Sequence, residues 1–298
     1  MGAESAGSGA VSRARRRGVE TRSASLPHQS SGRGRARAYA GGRSTAPPRG
    51  AVRHPCSTAR SREDPGAPMA DAPEPILLDL WADIVCPWCY VGRVALDRAI
   101  SEEGLEGRVH RTLHSFELDP DAPVAGPDGG AGLPTNTEYL REKVGLSPEQ
   151  IAEGEDRLRA LADSLGVPYV DVRPSGSTRS LHRFLQAVQA TVGHAAAASF
   201  FAALQDGYFS GTLDIFDPVV LAEQARAVGL PAGDAAQLAA EPTSPVGEKA
   251  ENVVSHDIAT ARQIGVRGVP YLVVDRQFAA PGAQDVAAYR QLLRRFAD

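Results

Sequence analysis

The stretch Cys86-Pro87-Trp88-Cys89 decides how this chain folds. It directly follows an apolar run over residues 76–85, which predicts a buried strand, and it directly precedes a segment with apolar residues at helix spacing. The two thiols therefore lie where a strand passes into a helix. Two intervening residues let the sulfurs close into a small disulfide ring, and the free N–H groups at a helix start favour the thiolate of the first cysteine. The motif predicts redox chemistry at Cys86.

A zinc site and a pair of inert buried cysteines are the two other interpretations of this motif. A structural zinc normally has four Cys or His ligands, and no second CxxC or His pair at ligand spacing follows in the sequence. Inert packing does not require Pro87, which fixes φ for the first helical turn and removes an N–H donor that would have no partner there. We therefore predict a dithiol pair and no metal site.

The 298-residue chain changes in character near Met69. Residues 1–68 hold 13 Arg, no Lys and 4 acids, a net charge of +9, whereas residues 69–298 carry a net charge of −13. The basic segment has almost no large apolar residues, so we predict that residues 1–74 form a disordered extension outside the folded protein. A translation start at Met69 is the favoured explanation, and an organellar transit peptide and a basic arm for nucleic acid are the alternatives.

The remaining residues predict one large domain or a domain that carries an insertion. Their acidic balance argues against binding to nucleic acid or to anionic membranes, and no apolar run approaches the ~18 residues that a membrane helix needs. The chain has three cysteines, one of which, Cys56, lies in the basic segment, so no framework of structural disulfides is expected. Because no secretory signal follows the early arginines, we predict a cytoplasmic protein whose disulfide is catalytic.

The predicted elements form a βαβ unit, a helical insertion and a C-terminal α/β segment. Strands over residues 76–81 and 108–116 flank a helix over 87–100, and a loop rich in Pro and Gly follows at 119–135. Only helical signals occur between about 137 and 235, which predicts an inserted helical subdomain. Its predicted helices cover residues 138–144, 148–165, 177–192, 195–205 and 218–228. The C-terminal segment is predicted as a helix, two strands and a helix, over residues 245–264, 271–275, 276–280 and 285–296.

A second signal is Gly268-Val269-Pro270, directly before the strand at 271–275. An X-Pro bond is usually trans, but one fold that begins with a CxxC-containing βαβ unit has a cis-proline at this point. The combination resembles the thioredoxin superfamily, in which a cis-Pro loop faces the CxxC motif and the residue before the proline offers backbone groups to an extended substrate. The resemblance implies that Val269 and Pro270 bind substrate opposite Cys86.

The long gap between Cys89 and Pro270 resembles the DsbA-like branch, whose thioredoxin fold is interrupted by helices. Three motifs are similar to FrnE-like members of the DsbA family: DIVCPWCYVG at 83–92, SFELDP at 115–120 and a C-terminal motif from GVRGVPY at 265–271 through PGAQ at 281–284. Two positions depart from that group. Ser177 stands where Asn is usual, and Leu181 replaces a small residue before His182, which puts any contact role of this helix start in doubt.

The resemblance covers nearly all of residues 76–296. It implies an α/β, thioredoxin-like fold with a large helical insertion, as in DsbA. The implied DsbA-like domain covers residues 75–298. Its thioredoxin part is formed by residues 75–118 and about 240–298, and the helical subdomain at about 137–235 is inserted between them.

The resemblance also implies distinct roles for the two cysteines. Cys86, at an exposed helix start, attacks a substrate disulfide or accepts attack by a substrate thiol, and Cys89 resolves the mixed disulfide. Pro87 and Trp88 shape the site, with Trp88 in an apolar rim. Because Trp88 occupies the position of a His in DsbA, we predict a less oxidising reduction potential than that of DsbA, about −120 mV. Protein or small-molecule thiols and disulfides are the expected partners.

Asp83, three residues before Cys86, has two interpretations: a proton acceptor for Cys89, or a side chain that satisfies the end of a strand. The structural interpretation is favoured, because proton transfer requires a geometry that a sequence does not show. The histidines have no metal-ligand spacing and are predicted as surface or satisfied core residues: His110, His114, His182, His194 and His256.

Two alternative functions stay open. A glutathione-dependent enzyme would resemble kappa-class glutathione transferases and 2-hydroxychromene-2-carboxylate isomerases, which place Ser where Cys86 stands and need no resolving thiol. The presence of Cys89 favours dithiol chemistry without a cofactor, with glutathione as a candidate redox partner. The second alternative is a chaperone-like module that binds unfolded chains on the helical subdomain. The sequence predicts neither the oligomeric state nor the direction of electron flow.

Overall fold

The structure, a computed structural model, describes residues 74–297. The predicted basic extension at 1–74 and its Cys56 therefore lie outside the described residues, apart from Glu74. None of the helices between residues 74 and 297 is long and apolar enough to span a lipid bilayer.

A four-stranded mixed sheet lies at the centre of the described chain, with strand order β2-β1-β3-β4. β1 (Ile76–Ala82) pairs in parallel with β2 (Val109–Ser115) and antiparallel with β3 (Tyr271–Val274), which pairs antiparallel with β4 (Phe278–Pro281). The apolar run of the sequence is thus a central strand with neighbours on both edges. A strand from the start of the described chain and a hairpin from its end share one sheet.

The first helix, α1 (Pro87–Glu102), follows β1 and carries the CxxC motif at its first turn. Pro87 stands at the start of the helix, where its missing N–H breaks no helical hydrogen bond. The apolar face of α1 is buried: Val91, Ala95, Leu96, Ala99 and Ile100. On another side α1 packs against the last helix, α9 (Val286–Arg294). The position of the motif is therefore fixed by its place directly after β1 and by the packing of α1 against other helices, the C-terminal helix among them.

Seven further helices lie between β2 and β3: α2 (Asn136–Tyr139), continued by a π-helical turn at Leu140–Val144, α3 (Pro148–Leu165), α4 (Arg179–Thr191), α5 (His194–Ser210), α6 (Pro218–Ala227), α7 (Ala232–Ala240) and α8 (Pro245–Gln263). Capping explains where three of them begin. Ser147, Asp217 and Ser244 each accept a main-chain N–H from the first turn and are followed by proline. The core of this region includes four fully buried phenylalanines: Phe184, Phe200, Phe201 and Phe209.

Polar side chains of the helices cover the outer edge of β2. Gln189 of α4 accepts a hydrogen bond from the Leu113 N–H (2.9 Å) and donates one to the Leu113 carbonyl (3.1 Å). Gln186 donates to the same carbonyl at 3.0 Å, and Asp257 of α8 accepts the Ser115 N–H at 2.9 Å. The helical region is therefore joined to the sheet through the main chain of this strand.

Most elements lie within a few residues of their predicted bounds, and α3 coincides with its prediction. The separate helix α7 was not predicted, because Leu238 is its only large apolar residue and the periodic signal is weak. The hairpin is also displaced along the chain. Asp275 and Arg276, predicted as strand, form its turn with φ values of 47° and 57°. The Asp275 carboxylate accepts the Leu77 N–H at 2.8 Å, which fastens this turn to β1.

Candidate active site

Cys86 and Cys89 lie at the start of α1 as two free thiols. Cys86 is the N-cap residue, and its sulfur accepts the main-chain N–H of Cys89 at 3.4 Å. The same Sγ donates to the Val269 carbonyl oxygen, 3.7 Å away. The Cys86 sulfur therefore has a hydrogen-bond donor at the helix start, which favours the thiolate, and a carbonyl acceptor, which favours the thiol. This arrangement suits a residue that alternates between the two forms.

The prediction that Cys86 is exposed is wrong. Only 3% of Cys86 and 2% of Cys89 are exposed, and the loop that contains Val269 contacts the sulfur at the helix start. The local pattern around the motif gives no sign of this contact, since the two segments are 183 residues apart in the chain. Access to the sulfur therefore depends on the position of this loop.

Burial raises the pKa of the Cys89 thiol well above its usual range, and the adjacent Cys86 sulfur raises it further through its hydrogen bond and its charge. A hydrogen bond from the main chain of Asp83 acts in the opposite direction by stabilising the thiolate. Cys89 is therefore protonated before reaction and must transfer its proton before its sulfur can attack.

The Val269–Pro270 peptide bond that faces the motif is cis. The Pro270 carbonyl accepts the Gly282 N–H at 2.8 Å, which ties this loop to the end of β4. Gly92 of α1 faces the loop, and a Cβ atom there would lie 3.2 Å from the Ala283 Cβ and 3.4 Å from the Pro270 Cγ. The glycine therefore allows the close approach that brings the loop to the reactive sulfur.

The two residues between the cysteines have different surroundings. Trp88 is partly buried, and the guanidinium of Arg157 from α3 lies over its ring, 5.2 Å from the centroid. Pro87 and Val85 line a cavity of about 130 Å³ between the end of the sheet and the helical region. Trp88 thus contacts the helical insertion directly, and Pro87 forms part of a concave surface beside the motif.

A buried polar cluster at this cavity was missed by sequence reasoning. Arg173 is 3% exposed, and its Nη2 lies 3.3 Å from Glu155 Oε1. Glu155 also accepts hydrogen bonds from Asn136 at 2.9 Å and from the Tyr169 hydroxyl at 2.7 Å. The available signal was the presence of two charged residues, Asp171 and Arg173, in the otherwise mainly apolar segment 167–174. The cluster contributes a paired guanidinium and carboxylate to the cavity wall.

Asp83, three residues before Cys86, and His182 of α4 are both buried, with 1% and 0% of their surfaces exposed. Asp83 Oδ2 accepts the Leu118 N–H at 2.9 Å, and Oδ1 lies 3.3 Å from His182 Nε2. The same Nε2 lies 3.0 Å from the Phe116 carbonyl oxygen. Asp83 thus holds the segment after β2, as the structural interpretation expects, and it also contacts a histidine that the sequence did not connect with it.

His114 lies between two carboxylates, with Nδ1 2.8 Å from Asp257 and Nε2 3.0 Å from Asp79, and its ring stacks on Trp81 at 4.2 Å. Burial opposes the charged ring, but the hydrogen bonds to both carboxylates outweigh it and raise the pKa of His114 to about 9. Three other histidines are exposed: His110, His194 and His256. Within residues 74–297 no group of three His, Cys, Asp or Glu side chains could hold a metal ion.

Comparison with known proteins gives one family. The DSBA-like thioredoxin domain matches residues 77–294. Among solved structures, a probable DsbA oxidoreductase from Streptomyces coelicolor is 30% identical, with a TM-score of 0.63, over 74% of this chain and 89% of that one. A proposed protein disulfide isomerase from Nitrosomonas europaea is 18% identical, with a TM-score of 0.53, and the match covers 75% of this chain and 98% of that one. The cytosolic disulfide reductase DsbM from Pseudomonas aeruginosa is 17% identical, with a TM-score of 0.48, and the match covers 74% of this chain and 97% of that one.

No curated protein matches the chain. The family match and the four-stranded sheet confirm the predicted α/β, thioredoxin-like fold of DsbA type. The chain therefore belongs to the DSBA-like thioredoxin domain family, a family of thiol–disulfide oxidoreductases.

Proposed function

We propose that this protein catalyses thiol–disulfide exchange with Cys86 as the nucleophile and Cys89 as the resolving thiol. The observation that supports it most strongly is the position of the Cys86 sulfur between the Cys89 N–H and the Val269 carbonyl. The N–H contact at the helix start stabilises a thiolate. The carbonyl contact brings a main-chain segment next to the sulfur, where an extended substrate can pair with it.

In the proposed cycle the Cys86 thiolate attacks a substrate disulfide, one substrate sulfur leaves as a thiolate, and a mixed disulfide forms. The Cys89 sulfur then attacks the Cys86 sulfur, which releases the second substrate sulfur and closes the internal disulfide. The same steps in reverse transfer the disulfide to a substrate dithiol. Val269 and Pro270 hold the substrate chain across the site, and Pro87 and Trp88 shape its surface.

The proposed substrates are proteins or small molecules that carry thiols or disulfides, with glutathione as a redox partner. Main-chain pairing beside the sulfur recognises an extended chain with little dependence on its side chains, which suits a broad substrate range. The three sequence motifs support a place in the FrnE-like branch. The cytoplasmic location stays a prediction from the sequence.

A glutathione redox titration of the full chain tests the proposal. The protein carries Cys56→Ser, so that Cys86 and Cys89 are its only thiols. Alkylation followed by mass spectrometry counts the free thiols at each point. We expect a two-electron transition in which both thiols disappear together, with a midpoint below about −120 mV.

Two other outcomes contradict the proposal. A lasting glutathione adduct at Cys86, with Cys89 still free, would support a glutathione-dependent transferase or isomerase. Two thiols that stay reduced at every ratio of oxidised to reduced glutathione, in a protein that still prevents aggregation of an unfolded chain, would support a binding module.

A further inference from the structure

Two exposed arginines at the edge of the dithiol site have no role in the proposed exchange steps. They are Arg157 of α3 and Arg267 of the loop that contains Val269. Neither guanidinium forms a hydrogen bond or an ion pair with another residue between 74 and 297, whereas the guanidiniums of Arg159 and Arg179 each contact two carboxylates. Unpaired positive charges beside a reactive sulfur attract negatively charged molecules.

Arg157 is held at the motif by an aromatic ring. Its Cζ atom lies 5.2 Å from the centroid of the Trp88 ring, which stands between the two cysteines and packs against the core. A guanidinium over an indole face is attracted by the negative charge density of that face. The charge of Arg157 is therefore placed beside the residue that separates the two sulfurs.

Arg267 belongs to a different segment of the same site. It lies two residues before Val269, whose carbonyl oxygen is 3.7 Å from the Cys86 sulfur. Val266, on the other side of Arg267, is 7% exposed and packs in a cluster with Trp81. The main chain on both sides of this arginine is therefore anchored while its side chain is exposed. The two arginines approach the dithiol from the helical insertion and from the loop.

Acidic side chains on α3 do not neutralise Arg157. Asp156 is paired with Arg159 at 2.6 Å, and Glu153, one turn before Arg157, forms no ion pair with it. The first turn of α1, which contains Trp88, has no acidic residue. The guanidinium of Arg157 is therefore available to a bound molecule.

The acidic side chains of the cavity beside the motif are enclosed or already bonded. Asp83 is 1% exposed. Glu155 is 8% exposed and lies 3.3 Å from the guanidinium of Arg173. Asp119 is partly buried, and its carboxylate accepts a main-chain N–H of its own turn at 3.0 Å. The exposed charges in the motif and its two contacting segments are therefore mainly positive.

This local charge is opposite to that of the whole body. Residues 69–298 carry a net charge of −13, so most of the surface repels a negatively charged substrate. An exposed charge acts over a distance of roughly 10 Å at about 0.1 M salt. The two guanidiniums therefore act mainly on groups close to the reacting sulfur of a substrate.

We propose that Arg157 and Arg267 are specificity-determining residues that select substrates with carboxylates next to the reacting sulfur. The inference rests on the proposed thiol–disulfide exchange and adds the class of substrate. An extended chain that pairs with Val269 and has Glu or Asp beside its cysteine fits the two positive charges. A small disulfide that carries carboxylates shares this chemistry, and the experiment separates the two sources.

Two peptides of equal length test the selection on the reduced full-length chain carrying Cys56→Ser. Each has one cysteine, flanked by Glu in one peptide and by Lys in the other, and this cysteine forms a disulfide with pyridine-2-thiol. The Cys86 thiolate attacks the peptide sulfur, a new S–S bond forms, and the pyridine-2-thiolate leaves with the electron pair of the broken bond. The absorbance of the released pyridine-2-thione gives the rate.

Three small disulfides form a second arm without a peptide chain. Dithiodipropionate is negatively charged, cystamine is positively charged, and 2-hydroxyethyl disulfide is neutral. Chromatography quantifies the thiol that each one releases. Loss of the preference in the peptide arm assigns the selection to acidic protein segments, and loss in this arm alone assigns it to small disulfides with carboxylates.

The ratio of the rates for the negative and positive probes isolates the effect of charge. Any change in the reactivity of Cys86 affects both rates equally and cancels in this ratio. At about 10 mM salt we expect Arg157→Gln and Arg267→Gln each to lower the ratio about threefold, and the double variant to lower it about tenfold. Arg157→Lys keeps the charge and should keep the ratio.

Arg226→Gln is the matched control, because Arg226 is exposed on α6, which packs against α4, α5 and α7. This variant removes the same charge and should keep the ratio of the parent. An unchanged ratio in the double variant, or equal slowing of all probes by Arg157→Gln, would overturn the inference. A parent protein that reacts with none of the probes, the neutral one included, would instead contradict the proposed function.

Discussion

His114 and His182 both join the central sheet to helices, but their surroundings differ in charge and in depth. His114 contacts two carboxylates, those of Asp79 and Asp257, and its side chain is 21% exposed. His182 contacts one carboxylate and one carbonyl oxygen, and it is fully buried. The first ring balances two negative charges, whereas the second donates a hydrogen bond to a single carboxylate beside the dithiol.

Similar pairs of a histidine and a carboxylate thus serve different purposes in the two regions. Around His114, a protonated ring between two carboxylates stabilises the contact of β1, β2 and α8. Around His182, the ring contacts a carboxylate whose own main-chain carbonyl accepts the Cys86 N–H at 3.3 Å, so this contact lies beside the dithiol. Substitutions near His114 should therefore change the free energy of unfolding more than the exchange rate, and substitutions near the dithiol should do the opposite.

The largest effect is expected at the dithiol itself. Cys86→Ser should reduce the exchange rate to that of the uncatalysed reaction, because no thiolate is left to attack. Cys89→Ser should retain the first attack and accumulate the mixed disulfide, which mass spectrometry detects. The rate at which a fluorogenic disulfide is reduced measures the activity of both variants. Cys56→Ser is the matched control and should react at the rate of the parent protein. Exchange that persists in Cys86→Ser would assign the chemistry to another residue.

His114→Ala tests the other region. Removing the ring leaves Asp79 and Asp257 without their shared partner, and we expect a loss of about 3 kcal/mol in the free energy of unfolding near pH 6. Urea unfolding followed by circular dichroism measures the loss. The exposed His110→Ala is the matched control, with an expected change within about 0.5 kcal/mol. A large decrease in exchange rate at unchanged stability would contradict the separation of the two regions.

The stability of the protein should also depend on pH through His114. Folding raises the pKa of this ring from 6.5 to about 9, so the stabilisation is fully present below pH 6.5 and is lost as the pH rises through 9. The expected decrease across this window is on the order of 2 to 3 kcal/mol. Unfolding at a series of pH values checks it, and His114→Gln should flatten the curve. If the stability of the parent protein were equally independent of pH, the His114 ring would not be charged in the folded protein.

Gly92→Val is expected to have the smallest effect, and this effect should be confined to the region of the dithiol. The added methyl groups press on Ala283 and Pro270, and we expect a loss of about 2 kcal/mol together with slower exchange as the loop moves away from Cys86. Gly154→Val, in α3 with open space around it, is the matched control and should keep both properties. Equal behaviour of the two variants would show that close approach at Gly92 is not needed.

Elements with strong local signals could be predicted from the sequence. α3 begins with the capping box of Ser147 and Gln150 and with Pro148, and it ends at Gly166 in the left-handed conformation, so its bounds follow from neighbouring residues alone. The position of the CxxC motif between a strand and a helix follows in the same way.

The rest of the site depends on contacts between distant segments. Asp83 and His182 are 99 residues apart, and no periodic pattern around either residue indicates the other. The burial of Cys86 likewise depends on the contact with Val269, 183 residues away. The local sequence therefore locates the reactive cysteines and the nearby Asp83, but it gives neither the depth of the cysteines nor the histidine that contacts this carboxylate.

The covered edge of β2 has a consequence for solubility. An uncovered edge strand offers free main-chain groups on which another chain can add, and this is a common route to aggregation. In this protein the side-chain amides of Gln186 and Gln189 occupy the N–H and carbonyl of Leu113 much as a neighbouring strand would. The helical insertion therefore also blocks intermolecular growth of the sheet at the middle of this strand.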